Sequence, residues 1–252
     1  MITGNRFAMF DAAPDAQRCR GGAGTANALD RGNVILKAVA RRRQLAQTEK
    51  ARFSANLARS LELLADHSAE LRDWDDALAA LEEAVSVTRS VAESDPQAFL
   101  LPLSARLLRL STALYEAGNF AGAIITAREA AERYRRLSAE RPEAIGHDFI
   151  HALKHLSCGL AVTGDAEAAL ASMREAVAEH RKLTASLGPG EACNLAWSLG
   201  LLGMRLRLAG NIDGARAATA EAIAMLGDGG PVTESVFTYL CREYDNLAGP
   251  PT

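Results

Sequence analysis

Apolar and small residues recur along this chain with two superposed periods. Within stretches of about five turns, leucines fall at i, i+3 and i+7, the stripe of an amphipathic helix. The stretches themselves return every 46 residues: DWDDALAALEEAV, NFAGAIITAREAA, DAEAALASMREAV and NIDGARAATAEAI begin at Asp73, Asn119, Asp165 and Asn211. Ala77, Ala123, Ala169 and Ala215 fall in register, and so do Glu83, Glu129, Glu175 and Glu221. Upstream, Leu61, Leu107, Leu153 and Leu199 align, as do Leu64, Leu110, Leu156 and Leu202. A third row reads Ser68, Leu114, Leu160 and Leu206, with Ser68 the single break. Agreement in so many rows identifies an internal repeat.

Each unit reads as two antiparallel helices. Gly118, Gly164 and Gly210 end the first helix, with Arg72 at that place in the first unit. A residue just past a helix C-terminus often takes a left-handed backbone, which favours glycine. The next residue (Asp73, Asn119, Asp165, Asn211) suits the N-cap of the second helix. Recurrent alanines let the paired helices approach closely. Second helices are expected to end near Asp95-Pro96, Arg141-Pro142 and Gly188-Pro189, with proline opening the next first helix. The register extends backwards, Ala38-Val39 matching Ala84-Val85, Phe53 matching Phe99, and Arg43 heading the row Arg89, Arg135, Arg181. A half-repeat therefore lies at about 33–50. No strand pattern occurs.

This pattern resembles the tetratricopeptide repeat family, met best by Leu199, Leu202, Gly203, Leu206 and Ala215, with Ala65, Ser111 and Ser157 in the small position of the other units. The resemblance covers about 33–227. It departs from the family's usual unit of about 34 residues, each helix being longer by about a turn and a half. In that respect it is similar to the long-repeat arrays of actinobacterial proteins and, in style, to kinesin light chain repeats. The expectation is an all-α, tetratricopeptide-like superhelical solenoid of antiparallel helical hairpins with a C-terminal capping helix. Residues 1–30 form a flexible arm in this reading. Residues 31–230 carry the half-repeat and four hairpins, and 231–252 a capping helix and tail. The helix is placed at Val232–Leu247, with Val236, Tyr239, Leu240 and Leu247 as contacts. A repeat array needs a cap over its last apolar face; dimerisation through the same helix, giving a homodimer, is the alternative.

Composition adds exclusions. The chain has 252 residues, 48% hydrophobic and 23% charged, with a formal net charge of −3. Neither a strongly basic nucleic-acid binder nor a disordered acidic tail fits. Residues 1–46 are about +5 and the rest about −8, yet the short run Arg41-Arg42-Arg43 reads as a solvated helix face. No nucleic-acid partner is expected. No apolar run reaches the ~18–20 residues of a bilayer span, and the first residues lack the apolar stretch of a secretory leader. Cys19, Cys158, Cys193 and Cys241 are too far apart for a zinc knuckle. Reduced thiols in the cytoplasm, with no membrane partner, follow as the simplest reading.

The family resemblance implies that the first helices line a concave groove that holds an extended or helical peptide. The groove positions are those opposite the leucine stripe, at about 100° per residue. In the third unit they include His147, His151, His155 and Cys158; in the fourth, Cys193, Trp197, Leu201 and Met204. In the second they are Leu101, Ala105, Arg109 and Thr112, and in the first Ala55, Arg59, Leu63 and Asp66. The partner-binding candidates are Arg59, Glu62, Asp66, Arg109, Tyr115, His151, Lys154, His155, Trp197 and Met204. Trp, Tyr and Arg are enriched among binding hot spots, so an exposed Trp197 is the leading candidate, against packing on a neighbouring or capping helix. Glu62, Asp66 and Glu70 form an acidic ladder that either receives a basic peptide or is a solvated face.

The function this points to is a protein–protein interaction adaptor that binds a peptide segment of a partner. The alternative is a metal- or small-molecule-binding helical protein, catalytic or not, built on the His/Cys surface of the third and fourth units. Its metal ligands would be His147, His151 and Cys193, since histidines four apart on a helix can share an ion. Against it, the three histidines span about 12 Å along the axis, and no glutamate follows His147 as in zinc proteases. A polar groove wall is the simpler account. No phosphate-binding glycine loop, Gly-x-Ser-x-Gly or dinucleotide fingerprint occurs, so no cofactor and no catalytic residue is assigned. The glutamate row recurs in every unit, which makes it structural, pairing across adjacent repeats. The arginine row sits late in the second helices, where a cation suits the helix dipole.

Overall fold

A computed structural model describes residues 25–139, 142–226 and 242. Among the described residues there are nine α-helices and no strand. The half-repeat is α1 (Thr25–Thr48), so helix begins inside the expected 1–30 arm. Four hairpins follow: α2 (Lys50–Glu70) with α3 (Trp74–Ala92), α4 (Pro96–Glu116) with α5 (Phe120–Ser138), α6 (Pro142–Val162) with α7 (Ala166–Leu187), and α8 (Ala192–Leu208) with α9 (Ile212–Leu226). Each helix packs on the next in sequence. The expected capping helix at 231–252 and Cys19 and Cys241 lie outside the described residues, Arg242 alone excepted.

The hairpin turns obey the sequence signals. Gly118, Gly164 and Gly210 take φ of 82°, 89° and 77°, and Arg72 takes 60°. After each, the backbone N–H of Asp73, Asn119, Asp165 or Asn211 donates to the carbonyl five residues back, at 2.8–2.9 Å. This closes the helix end in a Schellman turn. The same four side chains then accept from the backbone N–H three residues on, at 2.9–3.2 Å, capping the second helix. The joint between the third and fourth units differs from expectation. Gly188 (φ 89°) ends α7, and Pro189 opens a 3₁₀ turn, Pro189–Glu191, rather than α8 itself.

The core is a column of the predicted rows. Leu61, Leu107, Leu153 and Leu199 are at most 2% exposed, and Ala84, Ala130, Ala176 and Ala222 are fully buried. The small row works as a helix–helix seat: Ser111 and Ser157 donate to the carbonyls of Ala123 and Ala169 in their own hairpins, at 3.2 and 2.8 Å. At Gly203 a Cβ would stand 2.6 Å from the Thr219 hydroxyl, so α8 and α9 meet there at backbone distance. Outside, the two polar rows meet. Arg43 pairs with Glu83, Arg89 with Glu129 (2.8 Å), Arg135 with Glu175 (2.8 Å) and Arg181 with Glu221 (2.7 Å). Each bridge joins the second helix of one unit to the second helix of the next. Hydrogen bonding to Glu83 and Glu175 raises the Arg43 and Arg135 pKa values, partly opposed by desolvation. Each pair is part-exposed and worth ~0.2–1 kcal/mol, so the ladder sets register more than stability.

Candidate functional site

The candidate positions sit on α2, α4, α6 and α8, and the structure joins them in a chain from helix to helix. Asp66 pairs with Arg109. One turn earlier Glu62 pairs with Arg106 at 3.4 Å, both side chains mostly buried. Desolvation lowers the Arg106 pKa, against the opposing pull of the Glu62 carboxylate. Thr112 Oγ1 on α4 lies 3.4 Å from His155 Nε2 on α6. His147 Nε2 on α6 lies 3.0 Å from Glu191 Oε2, just before α8. The acidic ladder is therefore not a free anionic strip: Glu62 meets Arg106, Asp66 meets Arg109, and Glu70 meets Arg31 at 3.2 Å. Arg59, exposed on α2, makes no ion pair among the described residues.

Three placements bear on the sequence reading. Trp197 is half-buried, packed with Cys193 and Met204 against the core, rather than standing exposed. Leu201, read as lining the groove, is 2% exposed. The trio His147, His151 and Cys193 does not come together: among the described residues no group of three His, Cys, Asp or Glu side chains is placed to hold a metal ion. Neither Cys158 nor Cys193 is in a disulfide, and burial raises the Cys193 pKa. Tyr115 is half-buried, its ring edge-on to Phe120 at 5.2 Å between centroids. His151 is exposed, whereas Lys154 and His155 are half-buried.

The structure also gathers polar residues that the sequence did not single out, at the joint of the third and fourth units. His180 on α7 is 3% exposed. Its Nδ1 lies 2.9 Å from the Ser198 hydroxyl, and its Nε2 lies 3.7 Å from Glu191 Oε2 with no hydrogen-bond partner. Burial, reinforced by the nearby Lys154 ammonium, pushes its pKa down to about 4 against the raising pull of Glu191. Desolvation pushes Glu191 up, but hydrogen bonds from Asn194 and His147 outweigh it and hold the carboxyl below its usual range. Arg205 on α8 is 1% exposed; its Nε lies 3.0 Å from Ser157 Oγ and one terminal nitrogen 3.1 Å from Cys158 Sγ. A serine, a histidine and a glutamate thus stand in a row, with Ser198 and His180 both buried. The signal that would have found these residues is their departure from their rows: Arg205 occupies the place of His67, Ala113 and Gly159.

The cavities lie elsewhere. One of about 470 Å³ is lined by Arg89, Pro96, Leu100 and Arg133 near the start of α4. Another of about 360 Å³ lies between α1, α2 and α3, lined by Leu36, His67 and Asp76. Among the described residues no helix is long and apolar enough to cross a membrane.

No family model matches the chain, and no curated protein matches it. Among solved structures, the chain is similar to the crystal structure of BtubC (BKLC) from P. vanneervenii, with a TM-score of 0.60 at 17% identity, over 89% of this chain and 94% of that one. The crystal structure of MamA protein reaches a TM-score of only 0.41 at 15% identity, over 75% of this chain and 89% of that one, too weak a likeness to argue from. The first comparison carries the fold alone. The chain is an all-helical repeat protein of solenoid type, and its hairpins fit a tetratricopeptide-type fold.

Proposed function

We propose that this protein is an interaction scaffold that binds a peptide segment of a protein partner along the first helices, α2, α4, α6 and α8. The observation that supports this reading is the run of side chains bridging successive first helices, from Asp66–Arg109 through Thr112–His155 to His147–Glu191. Those contacts tie the four helices into one polar, continuous face, flanked by part-buried Tyr115, Trp197 and Met204. Aromatic and arginine side chains at a partly desolvated surface are what peptide recognition uses. A face held by cross-helix pairs is also pre-organised, which lowers the ordering cost of binding. Within this proposal Arg59, Glu62, Asp66, Arg109, Tyr115, His151, Lys154, His155, Trp197 and Met204 form the binding surface. Of these, Arg59 and His151 are exposed, and Arg59 makes no ion pair among the described residues. The partner would sit in the cytoplasm with this chain.

The test is selection of binders from a displayed random-peptide library on the full chain, with the Arg59→Glu/His151→Glu variant measured in parallel. Both substitutions are on the surface and leave the core intact. Selected peptides should lose about tenfold or more in affinity on the variant, as charge reversal at a contacted site costs more than about 1.4 kcal/mol. Binders indifferent to both changes would place the interaction elsewhere on the molecule.

A further inference from the structure

In the complete hairpins the second helix sets recurring rows against its own first helix where the two close in: a Cβ at Gly203 would stand 2.6 Å from Thr219 Oγ1, and one at Gly146 3.0 Å from Leu183. The row of Ala84, Ala130, Ala176 and Ala222 is fully buried there, and the row of Leu81, Ala127, Met173 and Thr219 is at most 4% exposed. Helix α1 carries these rows, and among the described residues no first helix covers them. Ile35 and Ala38, the register equivalents, are half-exposed. Val34 is 66% exposed, where its equivalents Ala80 and Ala218 are 3% and 7% and Thr126 and Ser172 are half-exposed. Leu45 continues the stripe, again half-exposed. The open flank therefore has the shape of a helix seat: four small or apolar side chains over about three turns, in the spacing that elsewhere receives a first helix.

The charge around it is one-sided. From Arg31 to Thr48 the helix has five cations and no acid. Three of the cations are engaged within the array, Arg31 with Glu70, Arg42 with Ser60 and Arg43 with Glu83. Lys37 and Arg41 are exposed, border the stripe on the Val34 side and make no ion pair among the described residues.

We propose that this flank of α1 docks an acidic amphipathic helix of a partner protein, which takes the place that a first helix has in the complete units. The apolar stripe supplies burial, and Lys37 and Arg41 select the sign of charge. A second copy of α1 fits badly, because it would set Lys37 and Arg41 against their own counterparts. This chain's own sequence does not continue the leucine rows there either: 46 residues before Leu57, Leu61 and Leu64 stand Asp11, Asp15 and Arg18. The inference is independent of the peptide face on the first helices and uses the opposite end of the array.

The probe is a pair of capped, fluorescently labelled peptides of residues 96–116, a first helix of this protein. One has the native sequence and a slight positive charge; the other carries Arg106→Glu and Arg109→Glu and is acidic. Anisotropy titration into the full chain should show the acidic peptide binding tighter, with affinity falling as salt rises. Val34→Asp/Ala38→Asp should weaken it about tenfold or more, since carboxylates on the seat have no partner. Lys37→Glu/Arg41→Glu should reverse the order of the two peptides. Both pairs of residues are on the open flank, and an unchanged circular dichroism melt confirms that the array is intact. Equal binding of the two peptides, no binding, or indifference to Val34→Asp/Ala38→Asp overturns the proposal. So does a sedimenting dimer that Val34→Asp turns into monomer, which would make the occupant a second copy.

Discussion

Arg205 gives the sharpest test of how this array is held together. Its guanidinium is buried among α6 and α8, 1% exposed, with Ser157 and Cys158 as partners and Nη1 without one. No carboxylate pairs with it among the described residues. An unsatisfied buried donor costs about 1–3 kcal/mol, and the charge itself costs several more before its contacts are counted. On the other side stand one hydrogen bond to a hydroxyl and one to a weakly accepting sulfur. Ser157 does not depend on the arginine, because its hydroxyl already donates to the Ala169 carbonyl at 2.8 Å. Replacing Arg205 by methionine therefore removes a desolvated charge, fills most of its volume and orphans no neighbour. The expected result is a stabilisation of about 1–3 kcal/mol, as when buried ionic groups elsewhere give way to apolar ones. For a chain of this size that is a rise in melting temperature of about 2–4 °C per kcal/mol. Urea titration followed by circular dichroism reads it directly. Arg205→Ala is the control: it removes the same charge but leaves a cavity, and should be less stable than Arg205→Met by about 2 kcal/mol. A loss of more than about 1 kcal/mol on Arg205→Met would refute the reasoning, for it would mean that the two contacts outweigh the cost of desolvation.

Two further outcomes follow from the same geometry. Arg72 holds the left-handed turn position with φ 60° where the other three hairpins have glycine, so Arg72→Gly should stabilise the chain by about 0.5–1 kcal/mol by relieving the Cβ clash; a lower urea midpoint would count against the turn. His180, pushed down to about 4 by burial and Lys154, binds its proton less readily folded than unfolded. Stability is therefore unaffected above pH ~6.5, falls as pH drops from ~6.5 towards ~4 by at most ~1.4 kcal/mol per unit, and levels off below. His180→Gln should flatten that part of the pH–stability curve, and an unchanged slope would assign it to other groups.

The sequence made the scaffold legible because the scaffold is what recurs. The leucine, alanine and glycine rows and the N-caps all stand where the 46-residue period puts them. The pairing of the Arg43 and Glu83 rows was within reach too. Within one helix Glu83 and Arg89 are six apart and do not share a face, which leaves the neighbouring unit as the source of a partner, 40 residues on. The first-helix positions follow from the leucine stripe, but their electrostatics do not. Glu62, Asp66 and Glu70 look like a free acidic ladder until the packing of α1, α2 and α4 sets Arg106, Arg109 and Arg31 against them. The half-burial of Trp197 was open for a related reason: angular position on one helix gives the direction of a side chain, whereas its burial depends on how closely the other helices approach.

Departures from the period carry more information than the period does. At the contact between a second helix and the following first helix, a large residue normally faces a small one. Ile124 meets Gly159, where an added Cβ would stand 2.8 Å from its Cγ1; in the first unit the sizes are reversed, and His67 meets Gly32 at 2.7 Å. The joint between the third and fourth units breaks this rule, since Leu170 and Arg205 are both large and both buried. The guanidinium escapes by reaching past the contact to Ser157 and Cys158 on α6. The same joint holds His180, Glu191 and the extra 3₁₀ turn. An array that needed only to repeat would have kept a glycine or alanine at 205 and a plain turn at 188–191. The polar cluster instead ties α6, α7 and α8 together with directional bonds, which fix the angle between the last two units more narrowly than apolar contact does. That angle sets how His147 and His151 stand relative to Trp197 along the first-helix face. The aperiodic joint is thus the element through which this sequence shapes the proposed binding surface, while the repeated rows supply its stability.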